Sequence, residues 1–245
     1  MSVISRVAIA LAAVLALPAA TFADPLYDFS SLGTSGTVTY LSQPQPLPGG
    51  ITGSAFYLSG ATWLASVLTV RNDTNDNGLG VCSEGTTPCN TGGGDVNEVS
   101  QLTNQEAILL QRPVNTLWTA LWVSSLDDNG GSTSLGAENG ILYWGNTADI
   151  ASLIAGGNSF GFSFPAFGGT AVEGQLTLPG TFDGTARYVL FVPGGALGTN
   201  NDYLVWGANL TSSQGDVPVP EPASLLLLGS GLVALAHNRR RARQR

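Results

Sequence analysis

One short stretch of alternating acids and amides has residue types suited to binding a metal ion. Asp73, Asn75 and Asn77 occupy alternate positions, Gly78 follows them directly, and Glu84 stands six residues beyond the glycine. The spacing matches an EF-hand loop, in which oxygen ligands surround a glycine turn and a bidentate glutamate closes the calcium shell. Calcium is therefore the one cofactor that the sequence suggests.

The surroundings of this stretch leave two interpretations open. The preceding residues are β-branched and aromatic, which favours a strand over the helix that an EF-hand requires, and Gly80 stands where the motif has an apolar residue. The first interpretation is an irregular calcium site that Asp95 and Glu98 complete. The second is a solvated turn rich in asparagine and glycine.

The only two cysteines, Cys82 and Cys89, lie in the same region with Pro88 between them. If the chain leaves the cytoplasm, an oxidising compartment favours a structural disulfide between them. Closing so short a loop contributes roughly 2–3 kcal/mol in the chain-entropy model. Zinc and redox chemistry are disfavoured, because no histidine or third cysteine is near and the spacing is not CxxC.

Most catalytic arrangements are excluded by composition. His237, near the C-terminus, is the only histidine and the chain has no lysine, so neither a Ser-His-Asp triad nor a Schiff base can form in the body. We therefore expect a non-enzymatic protein. The remaining catalytic alternative is a pair of carboxylates for polysaccharide hydrolysis, drawn from Glu98, Glu106, Asp127, Asp128, Glu138 and Glu173.

Tryptophans offer a different chemistry, because an indole ring can stack on a sugar while acids and amides bond its hydroxyl groups. The alternative to an interaction or structural protein is thus a carbohydrate-binding module, with or without calcium. Such residues lie more often in a core than on a platform. The candidates are Trp118, Trp122, Trp144 and Trp206.

Charge further limits the partners of the body. Between Asp24 and Asp216 there are sixteen acids but only three arginines, a net charge of about −13. Such a field repels phosphate backbones, so nucleic-acid binding is not expected.

The pattern of the body predicts an all-β protein, since short β-branched and aromatic runs alternate with Gly, Asn and Pro. The run 114–126 is apolar on both alternating faces, which predicts a central strand. One helix is predicted at 147–155, stopped by glycines. We expect an antiparallel, jelly-roll-like β-sandwich with strands at 36–41, 54–58, 61–71, 106–111, 114–126, 141–144, 159–164, 172–178, 186–192 and 202–210.

The N-terminus has the pattern of a secretory signal peptide. Arg6 precedes an apolar run at 7–17, Pro18 ends the run, and small residues at 21 and 23 predict cleavage before Asp24. Eleven apolar residues reach only ~16 Å as a helix, too short to span a ~30 Å hydrocarbon core. We therefore expect a cleaved signal peptide at residues 1–23.

The C-terminus has three successive parts. A proline-stiffened stretch at 217–222 precedes an apolar run at 223–236, which we predict to be a transmembrane helix of ~21 Å. An arginine cluster follows, and because clustered arginines resist translocation it should stop the tail on the cytoplasmic side. The cluster consists of Arg239, Arg240, Arg241, Arg243 and Arg245.

The order of these three parts resembles the PEP-CTERM sorting signal of Gram-negative bacteria. The motif residues are Pro220, Glu221 and Pro222, followed by Ala-Ser, the leucine run and the arginines. The resemblance implies recognition and cleavage by exosortase, a membrane-embedded cysteine protease, and association with exopolysaccharide. The three motif residues would then be recognition residues of a substrate.

Parts of the body also resemble the ectodomain common among PEP-CTERM proteins, through weak motifs at 78–81, 95–98, 104–110 and 113–114. We accordingly expect a signal peptide at 1–23, an ectodomain at 24–216 and a sorting signal at 217–245. The expected route is export, a transient inner-membrane intermediate, then the cell surface or extracellular matrix.

Overall fold

A computed structural model describes residues 24–73, 76–82, 98–100, 104–126, 137–163, 173–195 and 201–213. These residues are mostly β-structure with little helix. The strands are β1 (Tyr27–Asp28), β2 (Thr39–Leu41), β3 (Gln45–Pro46), β4 (Thr52–Ser59), β5 (Thr62–Ala65), β6 (Val67–Asp73), β7 (Asp76–Cys82), β8 (Glu106–Gln111), β9 (Thr116–Ser124), β10 (Asn139–Gly145), β11 (Ser159–Ser163), β12 (Gly174–Gln175), β13 (Tyr188–Pro193) and β14 (Leu204–Ser212). Among the described residues, helix α1 is Ile150–Ala155, and 3-10 turns lie at Ser30–Leu32 and Pro48–Gly50.

In the described part of the chain, the strands form two seven-stranded antiparallel sheets. Sheet A has the order β12-β9-β14-β7-β6-β2, with β1 added to β14. Sheet B has the order β11-β10-β13-β8-β4-β3, with β5 added to β4. The chain crosses between the sheets repeatedly, for example from β7 to β8 and again to β9. Neighbouring strands therefore come from distant parts of the sequence.

The two sheets share one hydrophobic core, which makes the fold sandwich-like. Alternate residues of each strand point inward because side chains alternate across a strand. Leu68 and Leu79 of sheet A belong to the same buried cluster as Ile108 and Phe191 of sheet B, and each of the four is fully buried. This core fixes the register of the strands, because a slip by one residue would turn these side chains to the opposite face.

Sheet B is also covered on its outer face. β8 and β13 are almost continuously apolar, which is typical of strands buried on both sides, and Leu109 and Leu190 point outward into a second cluster. Helix α1 contributes Ile150 and Leu153 to this cluster, and these are neighbours on one helix face. The Asp149 side chain caps the helix by accepting a hydrogen bond of 2.8 Å from the Ser152 N–H.

The structure confirms the all-β prediction and the predicted helix, whose observed bounds are shorter than 147–155. It also confirms that β9 is a central strand, between β12 and β14. The predicted strand 61–71 is split into β5 and β6. No strand was predicted where β7 lies, and this is the main difference.

β7 escapes sequence-based prediction because its residues, Asp-Asn-Gly-Leu-Gly-Val-Cys, have weak strand propensity. Tertiary packing explains why a glycine is needed there. A Cβ atom on Gly78 would lie 2.4 Å from the Val205 carbonyl oxygen of β14, and its φ of +130° disfavours other residues. Gly78 therefore allows β7 to approach β14 closely.

The chain divides after Thr211 into two units, 1–211 and 212–245. Within the described residues, no helix has the length and apolar character needed to cross a bilayer. The predicted signal peptide at 1–23 and the predicted membrane helix at 223–236 both lie outside the described residues, so both stay predictions.

Candidate functional site

The two predicted calcium ligands that the structure describes, Asp73 and Asn77, lie near the tip of the β6–β7 hairpin. Asp73 and Asp76 are directly opposed at the ends of the two strands, and Asn77 follows on β7. Asn75 and Glu84, the other two predicted ligands, lie outside the described residues. A strand enters this loop, as the β-branched residues indicated, so the arrangement is not the helix–loop–helix of an EF-hand.

An ion-pair cluster occupies the side of this hairpin, and we call it the Arg71 cluster. Its members are Arg71, Asp76, Glu98 and Ser125. The Arg71 guanidinium donates to Asp76 Oδ2 over 2.6 Å and, through its other terminal nitrogen, to Glu98 Oε1. The Ser125 hydroxyl lies 2.8 Å from Asp76 Oδ1 and 3.1 Å from Glu98 Oε1. The cluster thus joins the β6–β7 hairpin, segment 98–100 and the end of β9.

Asn77, which follows Asp76 on β7, forms hydrogen bonds with Ser124 and Glu173. Its backbone N–H donates to the Ser124 hydroxyl over 3.0 Å, and that hydroxyl donates back to the Asn77 carbonyl. Its side-chain amide lies 3.4 Å from Glu173 Oε2. Across the described ranges, no three His, Cys, Asp or Glu side chains are grouped to hold a metal ion. The calcium site stays a prediction, and Arg71 already pairs with both Asp76 and Glu98.

Three of the six carboxylates considered for hydrolysis are buried in the described part of the chain, and Glu173 is partly exposed. Glu98, Glu106 and Glu138 are 3–4% exposed, too buried for a polysaccharide to reach. Glu106 accepts a hydrogen bond of 2.9 Å from the Ser100 N–H, a structural contact. Asp127 and Asp128 lie outside the described residues.

Three of the four candidate tryptophans are core residues. Trp118, Trp122 and Trp144 are 3%, 1% and 5% exposed, so none can form a sugar platform. The Trp118 indole N–H donates to the Ala186 carbonyl over 3.0 Å, and the Trp144 ring packs edge-on against Phe182 with centroids 5.2 Å apart. These contacts hold the rings inside the fold.

The fifth tryptophan, Trp63, was not singled out from the sequence, yet it borders an open groove. The groove has a volume of about 260 Å³ and lies between the β4–β5 hairpin and the start of α1. Phe56, Thr62 and Trp63 line one side and Asp149 the other. The sequence did contain a signal for this position. Trp63 stands two residues after Gly60-Ala61, and a glycine between two apolar runs is typical of a tight hairpin turn after which a new strand begins.

The Asp149 carboxylate is the charged group among the described residues that line this groove. Its interactions with the Ser152 side chain and then with the Ser152 N–H hold the pKa of the carboxyl below its usual value. Asp149 therefore stays ionised at neutral and mildly acidic pH. The groove combines two aromatic rings and a carboxylate, which are residue types suited to recognition.

Cys82 is the last residue of β7 and is 2% exposed. It is not a free thiol. Its predicted partner, Cys89, lies outside the described residues, so the Cys82–Cys89 pairing stays a prediction.

The sorting residues Pro220, Glu221 and Pro222 and the membrane-stop arginines Arg239, Arg240, Arg241 and Arg243 also lie outside the described residues. The described residues define a two-sheet, all-β protein with an open groove on sheet B. A family model of the PEP-CTERM protein-sorting motif matches residues 218–241. No curated protein and no solved structure matches the chain. The motif confirms the sequence resemblance and implies an exported protein directed to exosortase.

Proposed function

We propose that the protein is a non-enzymatic component of the cell surface or extracellular matrix, sorted by its tail. In this proposal the signal peptide at 1–23 is removed and the helix at 223–236 holds the chain briefly in the inner membrane. An exosortase-type protease then recognises Pro220, Glu221 and Pro222 and cleaves nearby. The observation that carries the proposal is the match of the sorting motif to residues 218–241.

The chemistry of the body supports a structural or binding role. Glu98, Glu106 and Glu138 are buried, Glu173 accepts a hydrogen bond from the Asn77 amide, and the body has neither lysine nor histidine. We infer a jelly-roll-like β-sandwich, supported by the shared core and by the pairing of strands distant in sequence. We include the Cys82–Cys89 disulfide, since export would expose both thiols to an oxidising compartment.

Association with exopolysaccharide is part of the proposal, and charge restricts its form. A body with a net charge of about −13 is repelled by polyanionic chains. The polymer in contact with the body is therefore neutral in this proposal.

The test is the intact mass of the extracellular protein in its own Gram-negative host. We expect a mass that lacks both residues 1–23 and the apolar tail. Replacing Glu221 by Ala should leave the tail attached and the protein in the membrane fraction, and so should inactivation of the host's exosortase. The matched control is Asp216→Ala, which removes a carboxylate five residues upstream and should be processed normally. An extracellular form that retains Arg245 would refute the sorting proposal.

A further inference from the structure

We propose that the groove between the β4–β5 hairpin and α1 binds a neutral saccharide, with Trp63 as the stacking surface. This site is distinct from the Arg71 cluster and from the tail. Binding can be measured on purified protein whether or not exosortase processes it, so the proposal does not depend on the sorting mechanism.

The aromatic surface is held in place by the sheet beneath it. Trp63 lies opposite Leu58 in the β4–β5 pair, and Ser59 lies opposite Thr62, which leaves the two-residue loop Gly60-Ala61. Gly60 has a φ of +62°, as such a tight turn requires. One part of Trp63 packs against the outer cluster of sheet B and the rest remains exposed. A ring fixed in this way loses little conformational entropy on binding a ligand.

A polar group stands beside the rings. Asp149 uses Oδ1 to cap α1, but a carboxylate has about four lone-pair sites, so it keeps acceptor capacity for ligand hydroxyls. The cap also fixes the direction of the carboxylate. Flat apolar rings next to a group that accepts hydrogen bonds from hydroxyls are complementary to a sugar, which has apolar C–H faces and hydroxyl groups around its rim.

The negative charge of the groove and of the body disfavours anionic sugars. The described lining contains a carboxylate and no arginine, while the body as a whole is strongly acidic. A uronate, a sulfated sugar or a phosphate polymer would meet repulsion without a compensating cation. The volume of about 260 Å³ is below the ~300–1,000 Å³ of sites for drug-sized ligands, so the groove accommodates one or two sugar rings of a longer chain.

The experiment is calorimetric titration of the purified exported protein with neutral hexasaccharides. The probes are cellohexaose, maltohexaose, xylohexaose and N-acetylchitohexaose, with hexagalacturonate as an anionic probe of equal length. We expect at least one neutral hexasaccharide to bind, and hexagalacturonate to bind at least tenfold more weakly. Absence of binding by all four neutral probes, or equal binding of hexagalacturonate, would overturn the proposal.

Variants locate the site. Trp63→Ala should weaken binding at least tenfold, which corresponds to about 1.4 kcal/mol, and Trp63→Phe should restore part of it. Leu64→Ala is the matched control, because Leu64 is the next residue of β5 and points to the opposite face. Equal losses in Trp63→Ala and Leu64→Ala would refute the assignment.

A second pair of variants avoids the packing role of Trp63. Ala151→Gln should block the groove without removing a core contact, since Ala151 is exposed and glutamine is a good helix former. Ala155→Gln changes an exposed alanine one turn further along α1 that does not line the groove. Loss of saccharide binding only in Ala151→Gln supports the site. Unchanged saccharide binding in Ala151→Gln overturns the proposal, because the saccharide must then bind elsewhere on the protein.

Discussion

Replacing Arg71 by methionine should destabilise the fold far more than replacing its more exposed partner, Asp76, by asparagine. The Arg71 side chain is 18% exposed and that of Glu98 only 4%. Methionine keeps most of the volume of the arginine stem but no charge. The change therefore leaves the buried Glu98 carboxylate without its cation.

The structure sets the expected magnitude. Removing one partner of a buried pair costs about 3–5 kcal/mol, because the other charge is left uncompensated. Since Arg71 is partly exposed, we expect the lower value, about 3 kcal/mol. For a body of this size that corresponds to a fall in Tm of roughly 6–12 °C. Asp76 is 31% exposed, so Asp76→Asn should cost about 1 kcal/mol or less.

The assay is urea unfolding of the purified exported protein, followed by far-UV circular dichroism. Adding Glu98→Gln to Arg71→Met should recover part of the lost stability, because the double variant no longer buries an unpaired charge. The reasoning would be refuted if Arg71→Met and Asp76→Asn cost the same, or if the double variant were less stable than Arg71→Met alone.

Three further results are expected. Asp149→Asn should match the wild type in stability at neutral pH, because asparagine also caps helices. Folding lowers the pKa of Asp149, so the stabilising effect of its carboxylate is present above pH ~3.9 and is lost as the pH falls through the folded-state pKa. The urea midpoints of the two proteins should therefore diverge only in acid. Alkylation of the denatured, exported protein with iodoacetamide should add no mass without reductant and two adducts with reductant. A thiol that is labelled before reduction would exclude the pairing of Cys82 with Cys89. Cys82→Ser should lower the free energy of unfolding by roughly 2–3 kcal/mol. Deleting 217–245 should leave the urea midpoint unchanged while abolishing membrane retention, and a lower midpoint would show that the tail is part of the working fold.

Local sequence pattern predicted the strands whose residues have strong intrinsic preferences. The alternation around Trp122 is visible in the sequence, and so are the apolar side chains at Ile150, Leu153 and Ile154, which lie on one helix face. β7 shows the limit of this approach. Its glycines and amides favour a turn, and the strand forms because β6 and β14 lie on either side of it. The pairing of β7 with β14 joins residues more than a hundred positions apart, so no local window contains it.

The proposed binding surface was harder to predict than the fold, because the sequence alone does not show which of the five tryptophans are exposed. Trp118, Trp122 and Trp144 lie in strands with apolar neighbours on both faces, and the structure buries them. Trp63 lies in a four-residue edge strand whose outer face is covered only where α1 reaches it. Exposure of an aromatic ring therefore depends on the number of layers above its strand. A ring beside the end of a short helix is packed on one side and open on the other. Stacking on a sugar needs this geometry, and we therefore assign the proposed binding role to Trp63.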